Sequence, residues 1–329
     1  MVKFSFRQED YEKWLLDLAL QLNIPSHNNF MTLPAHLGKG YITARNISRH
    51  LSFAVINIQL EKDLELEREP GGWKGFYLTF NQVEGKKEIQ ADSHHQHIVI
   101  DKKTMRNDIL LANAEDPCTF RISAGSDIKK LMIFYSDEIA RQYLPGDLYT
   151  RISDFARENT QTVNKHFVSL SHREALKDIF DYRANDSILQ VKRLSQIIQL
   201  TEKFLHSFLR QGQAMKTKAV KKNDLESMQH VEQILSRNNL EGFPSLESLA
   251  QEVFMSTSKL KNLFKDVYGY TLYDYYNKSR LLRAKEMLVS GQFSIKQAGS
   301  EIGFSNLSHF AKAFRKEFGV LPREVVKSR

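Results

Sequence analysis

Residues 294–322 read SIKQAGSEIGFSNLSHFAKAFRKEFGVLP, and residues 245–269 read SLESLAQEVFMSTSKLKNLFKDVYG. The two stretches are variations on one pattern. Ala250, Ser256, Leu260, Phe264 and Gly269 in the first answer to Gly299, Ser305, Phe310, Phe314 and Gly319 in the second. The first two pairs are 49 residues apart and the last three 50, so one residue is inserted in the second turn. Each copy has a small residue on a first helix, where two helices cross closely. A serine then opens a second helix as its N-cap, because a hydroxyl accepts a bond from free N–H groups of the first turn. An apolar i/i+4 pair seats that helix and a glycine ends it. These are the parts of a helix-turn-helix, whose second helix keeps its other face for the DNA major groove.

Between the copies, residues 273–290 read as one helix, YDYYNKSRLLRAKEMLVS. At ~1.5 Å per residue it spans about 27 Å. Two recognition helices hung from its ends suit successive major-groove entries about 34 Å apart on one face of B-DNA. With these residues in view, 224–329 resembles the DNA-binding domain of the AraC/XylS family of bacterial transcription regulators, over about one third of the chain. The resemblance rests on the two stretches quoted and on RLLRAKEMLVSG at 280–291. The family's second motif is met by Gly303, Phe304, Ser305, Ser308, Phe310, Phe314, Arg315, Phe318, Gly319 and Pro322. There are two departures. Ala298-Gly299 stands where the family usually has Ile-Ala, and Val325-Val326-Lys327 where an arginine is usual. Glycine in a helix interior costs up to about 1 kcal/mol, which predicts a softer second unit. The resemblance implies a sequence-specific regulator that binds double-stranded DNA, contacts RNA polymerase, activates transcription by family default, and carries an N-terminal domain that binds a small effector or dimerises.

Helical spacing turns Leu260, Leu263 and Phe264 inward and leaves Thr257, Ser258, Lys261, Asn262 and Lys265 towards DNA. An asparagine pairs bidentately with adenine and a lysine reaches guanine, which suits Asn262 and Lys261. In the second unit Asn306, Leu307, His309, Lys312 and Arg315 face outward around Phe310 and Phe314, with Ser308 near the helix start. Arg280 and Arg283, on the connecting helix, match the family's basic pair; a phosphate clamp or an intradomain salt bridge suits one of them better than base reading. The bland alternative for each is a solvated surface charge.

Working outward, 329 residues suggest about two domains, and 41% hydrophobic with 26% charged residues is ordinary globular composition. A single cysteine, Cys118, excludes a disulfide framework and a four-cysteine zinc site, and suits a reducing cytoplasm. The N-terminus, MVKFSFRQEDYEKW, lacks the apolar core of a signal peptide, and no run is long and apolar enough to span a membrane. Of the net charge of +8, residues 1–209 contribute nothing, with 27 basic and 27 acidic residues. Residues 210–222 add five positive charges and 223–329 a net of +3. An excess confined to the C-terminal end points to a polyanion.

The fold expected is α+β and multidomain. An amphipathic helix over 8–23, with Tyr11, Trp14, Leu15, Leu18 and Leu22 on one face, opens the chain. From Phe30 to Tyr135, short β-branched and aromatic runs between turns predict a compact antiparallel barrel or sandwich, giving a β-rich domain over 1–136. Residues 137–210 read as helices at 137–143, 149–158, 171–183 and 187–210. In the last, Val191, Leu194, Ile198, Leu205 and Phe208 lie near a/d spacing, either packed on their own domain or forming a homodimer seam. Residues 211–223 read as a basic linker and 224–329 as an all-α domain of two helix-turn-helix units joined by a helix.

In the sheet region Phe53, Trp73, Phe76, Tyr77, Phe80 and Phe120 are candidates to line an effector site, since such sites are mostly apolar and aromatic. Plain core packing is the alternative. His95 and His97 alternate onto one strand face with Asp101, a partial echo of the cupin H-x-H metal pattern, but no second ligand motif follows. The reading adopted is therefore a cytoplasmic regulator, not an enzyme, without metal or cofactor and without a membrane role. A cupin-type metal enzyme fused to a DNA-binding module and an effector-independent DNA-binding dimer stand as rivals.

Overall fold

The computed structural model describes residues 1–84, 89–93, 96–100, 106–158, 166–167, 175–176, 179–180, 187–217, 222–237 and 242–327. The chain divides into two compact units. One holds Met1–Val168 with Leu176–Ala184, the other Ser169–Ala175 with Asn185–Arg329.

The N-terminal unit is built on two sheets. The larger runs, in spatial order, β13 (His166–Phe167), β10 (Arg106–Asn113), β7 (Gly75–Glu84), β12 (Asp127–Ser136), β5 (Leu51–Leu60), β4 (Gly38–Ser48), β3 (Phe30–Thr32) and β2 (Ser26–His27). The smaller runs β1 (Val2–Gln8), β6 (Leu64–Gly72), β11 (Cys118–Ile122), β8 (Ile89–Ser93) and β9 (Gln96–Ile100). The expected β-rich domain is present, with two differences. The chain opens with strand β1 rather than with a helix, and β1 pairs with β6 in parallel, so the small sheet is mixed rather than antiparallel. The opening helix follows as α1 (Tyr11–Gln21), capped by Asp10, whose carboxylate accepts from the Lys13 N–H; it buries Tyr11, Trp14, Leu15 and Leu18.

Strand alternation sorts the large sheet into two apolar faces. One face carries Ala54, Ile56, Ile58, Tyr77, Ala112, Ile128 and Phe134, which form a core with Phe4 of β1 and the buried side of α1. The other carries Phe53, opposite Ile133, which in turn lies opposite Leu78. Helices α2 (Asp137–Tyr143), capped by Ser136, and α3 (Gly146–Glu158) contact β7, β12 and β10 of this sheet. Phe180 ties a further segment to it by accepting bonds at its carbonyl oxygen from the Tyr41 hydroxyl (2.7 Å) and Asn57 Nδ2 (3.1 Å). The helix expected over 171–183 lies mostly outside the described residues.

The C-terminal unit opens with α4 (Ser187–Thr217). This helix runs seven residues beyond the expected end, through the first half of the segment read as a basic linker, and it falls in the same compact unit as the helices that follow it. Its buried apolar residues are Ile197, Leu200, Phe204 and Phe208, of which only Phe208 belongs to the predicted a/d seam, while Leu194 and Leu205 of that seam are half-buried. Along that seam Val191 is 70% and Ile198 56% exposed. The rest of the unit is α5 (Lys222–Arg237), α6 (Leu246–Glu252), α7 (Thr257–Tyr268), α8 (Leu272–Ser290), α9 (Ile295–Glu301), α10 (Leu307–Phe318) and α11 (Pro322–Lys327). No helix among the described residues is long and apolar enough to cross a membrane.

Candidate nucleic-acid interface

Helices α6 and α7 form the first helix-turn-helix, α9 and α10 the second, and α8 joins them. The sequence repeat is a backbone repeat. The N–H of Met255 bonds to the carbonyl of Ala250 (2.9 Å), as Phe304 bonds to Gly299 (2.9 Å). Phe254 and Gly303 occupy the same turn position, both at positive φ (53° and 77°). Equivalence at a spacing of 49 therefore persists through Met255 and Phe304.

The inserted residue follows directly. Ser256 caps α7, accepting from the Lys259 N–H at 3.2 Å. The cap of α10 is Asn306, whose Oδ1 accepts from the N–H groups of Ser308 (2.8 Å) and His309 (3.3 Å). Ser305, expected as the second cap, is instead the extra residue. The signal lay in the sequence, since asparagine caps as well as serine; the like-for-like serine match concealed it. Gly269 and Gly319 end the two helices at φ 76° and 75°, as a left-handed C-terminal position requires.

Each second helix buries one stripe and exposes another. On α7 Leu260, Leu263, Phe264 and Tyr268 are buried, while Ser258, Lys261, Asn262 and Lys265 are exposed. At about 100° per residue those four share one stripe. Thr257 is half-buried at its edge. Lys259 lies off the stripe and pairs with Asp224 of α5 at 2.8 Å. On α10 Phe310 and Phe314 are buried, and Leu307, Ser308, His309, Lys312 and Arg315 are exposed. Aligned on the caps, Ser308, Lys312 and Arg315 stand where Ser258, Asn262 and Lys265 do, Ala311 replaces Lys261, and His309 falls at the off-stripe place of Lys259. The Asn306 side-chain oxygen is engaged in the cap, which leaves only its amide N–H groups to offer a base or phosphate.

The connecting helix divides its two arginines. Arg283 is exposed. Arg280 is held inside the domain: its guanidinium lies 4.9 Å from the Tyr276 ring centroid and 4.7 Å from that of Phe304, and Nη1 donates to the Tyr276 hydroxyl at 3.3 Å. Its Nε is buried. Half-buried and stacked between two rings, Arg280 takes an intradomain contact, one of the two expected alternatives, but with aromatic rings in place of a salt bridge. On the same helix Lys278 forms an ion pair with Glu317 of α10. The first unit is fastened to α5 by the Tyr268 hydroxyl donating to the Met228 carbonyl (3.2 Å), and α8 is fastened to α5 by the Tyr275 hydroxyl donating to the buried Glu232 (2.7 Å).

A protein-family profile described as a helix-turn-helix domain matches residues 249–328. The HTH-type transcriptional regulator ArgR of Pseudomonas aeruginosa is 38% identical over 91 residues, covering 28% of this chain and 28% of ArgR. The C-terminal domain is of the AraC/XylS type. The virulence regulon transcriptional activator VirF of Yersinia enterocolitica is 31% identical to this chain over 96 residues, covering 29% of this chain and 35% of VirF. A probable AraC family transcriptional regulator from Rhodopseudomonas palustris, 27% identical, covers 31% of this chain and 96% of its own, with a TM-score of 0.29. The chain thus spans 28% and 35% of the length of these two curated relatives.

The six aromatic residues considered for an effector do not converge. Phe53, Phe76 and Phe80 lie on the outer face of the large sheet; Phe76 borders Ser153 and Ala156 of α3 and stacks on Tyr135 (5.4 Å). Tyr77 and Phe120 face the layer between the sheets, and Trp73 packs on Phe134 (6.2 Å) and His50 (6.0 Å). Strand period separates Tyr77 from its two neighbours, which the sequence reading had grouped with it. His94, His95 and Asp101 lie outside the described residues, as does the His97 side chain.

Proposed function

We propose that the chain is a sequence-specific DNA-binding transcription regulator whose N-terminal unit binds a small-molecule effector. The observation that carries this is the pair of capped, equivalent helices α7 and α10, each with a buried apolar stripe and an exposed polar one, joined by the 19-residue α8. At ~1.5 Å per residue α8 is about 28 Å long, close to the advance of the duplex between successive major grooves. Ser258, Lys261, Asn262 and Lys265, with Thr257, meet one groove; Ser308, Lys312 and Arg315, flanked by Leu307, His309 and Asn306, meet the next. Arg283 contacts phosphate. On this reading the protein is no enzyme, works in the cytoplasm, touches RNA polymerase as an activator, and pairs with a second copy through the exposed Val191–Ile198 seam of α4. The effector acts by favouring one arrangement of the DNA-binding units over another, which demands different affinity for the two.

Selection of bound duplexes from a randomised pool tests the DNA reading. Lys261→Ala and Asn262→Ala are expected to alter base preference at one or two positions, about 1–3 kcal/mol each. Arg283→Ala is expected to weaken all sequences alike and to reduce the salt slope by about one. A base-preference profile indifferent to both α7 substitutions overturns the assignment.

A further inference from the structure

The two helix-turn-helix units meet along α8, and two cations of that helix reach both of them. Lys278, in the first half of α8, holds its ammonium 5.4 Å from the ring centroid of Tyr270 and forms an ion pair with Glu317. Tyr270 directly follows Gly269, the residue that ends α7. Its ring is edge-on to Tyr275 at 6.5 Å, and Tyr275 in turn packs on Phe264 and Tyr268 of α7. Glu317 lies in the last turn of α10. One ammonium group therefore touches the end of the first unit and the end of the second recognition helix. With side chains only 18% and 25% exposed, Lys278 and Glu317 are not freely solvated surface charges.

Arg280 makes a second crossing. Its guanidinium stacks on Tyr276 and on Phe304, which stands in the turn of the second unit. Tyr276 is itself edge-on, at 5.5 Å, to Phe243 just ahead of α6. Two residues along a helix turn through about 200°, so the two crossings leave α8 on nearly opposite flanks. One contact would let the second unit rock about α8; two on opposite sides resist rotation in both senses. Stability alone does not call for the ion pair, because Leu281, Ala284, Leu288, Phe310 and Phe314 already form an apolar core there. Desolvation offsets much of the attraction within such a pair. Its distinct contribution is geometric, since a charged pair admits few arrangements whereas apolar faces can slide.

We propose that Lys278 and Glu317 are positioning residues that hold the second recognition helix in phase with the first, so that the domain reads the spacing between the two halves of its site as well as their bases. This rests on the DNA reading above and adds a determinant of specificity to it. One base pair added between the halves moves the second by about 3.4 Å and turns it by about 35° around the duplex. A domain braced on both flanks of α8 cannot follow that displacement without breaking contacts to DNA. A domain that has lost one brace can follow it in part.

The test uses the full-length protein and the duplex that wild type selects from a randomised pool, together with versions carrying one base pair more or one fewer between the halves. Wild type is expected to bind either altered duplex at least ~10-fold more weakly than the selected one. In Lys278→Met and in Glu317→Gln that discrimination is expected to fall at least threefold, while base preference within each half stays as in wild type. The charge-swapped double variant, Lys278→Glu with Glu317→Lys, is expected to regain part of the discrimination. If Lys278→Met does not fold by circular dichroism, Glu317→Gln, which keeps the side-chain shape, decides the matter. A pair that served stability alone would weaken all three duplexes by the same factor, and that result overturns the proposal. So does a wild type that tolerates the altered spacings or selects only one half of a site, with the DNA reading left intact. A wild type that selects no sequence removes the DNA reading, and this proposal falls with it.

Discussion

Phe254 and Gly303 hold the same turn position with the same left-handed backbone, yet only one of them is suited to it. A bulky residue at positive φ is strained by about 1–2 kcal/mol, which glycine avoids. The Phe254 ring is 98% exposed, so no burial within the chain offsets the strain. Phe254→Gly is expected to stabilise the C-terminal unit by about 1 kcal/mol, read as a higher urea midpoint by far-ultraviolet circular dichroism. An unchanged or lower midpoint refutes this. Gly299 answers the opposite question. Its missing Cβ would stand 3.2 Å from Cδ1 of Phe310, a ring already enclosed by Phe304 and Phe314. Where the first unit pairs Ala250 with Leu260, the second pairs a smaller residue with a larger one. The glycine read as a weakness in the sequence is thus the space for Phe310. Gly299→Ala is expected to destabilise by about 1 kcal/mol despite its better helix propensity, and Phe310→Leu in the same chain to recover part of the loss. Strictly additive effects in that double-mutant cycle would show that the two do not share space.

Helix α8 joins the two units through Arg280, whose ring partners are four and 24 residues away in the chain. The contact with Phe304 therefore left no local signal, whereas i/i+4 pairs and terminating glycines, all within a dozen residues, were legible throughout 245–322, and of the two recognition-helix caps the first was read correctly. Arg280→Ala is expected to lower the stability of the C-terminal unit by about 1–2 kcal/mol, and to leave the salt slope of DNA binding as it is in wild type. A slope reduced by one, as expected of Arg283→Ala, would return Arg280 to the phosphate contacts. Strand β1 is the reverse case. Val2, Phe4 and Phe6 alternate cleanly with Lys3, Ser5 and Arg7, a period-two signal present in the sequence and passed over for the helix that follows. Its parallel partner β6 lies some sixty residues on, and only the fold could supply that pairing.

Over the chain as a whole, the boundary expected near residue 210 is absent. Helix α4 runs through it, with Ile197, Leu200, Phe204 and Phe208 buried in the C-terminal unit. Composition misled here: a basic, polar stretch resembles a linker even when it continues a helix, because helix propensity does not require an apolar face at every turn. The apolar residues of α4 exceed what one packed face can use, and the surplus is the seam of Val191 and Ile198. Ile198→Glu is expected to shift the full-length protein from dimer to monomer by sedimentation, with the circular dichroism spectrum unchanged. Equal mass for both proteins would leave the seam without a role in pairing. The recognition stripes carry a last consequence. Ser258, Lys261, Asn262 and Lys265 on α7 and Ser308, Ala311, Lys312 and Arg315 on α10 are parallel in placement and unequal in chemistry. On the proposed DNA reading, two adjacent grooves are read with different alphabets, so a site for one copy has a head and a tail. Reversing it would turn the bound C-terminal unit end for end.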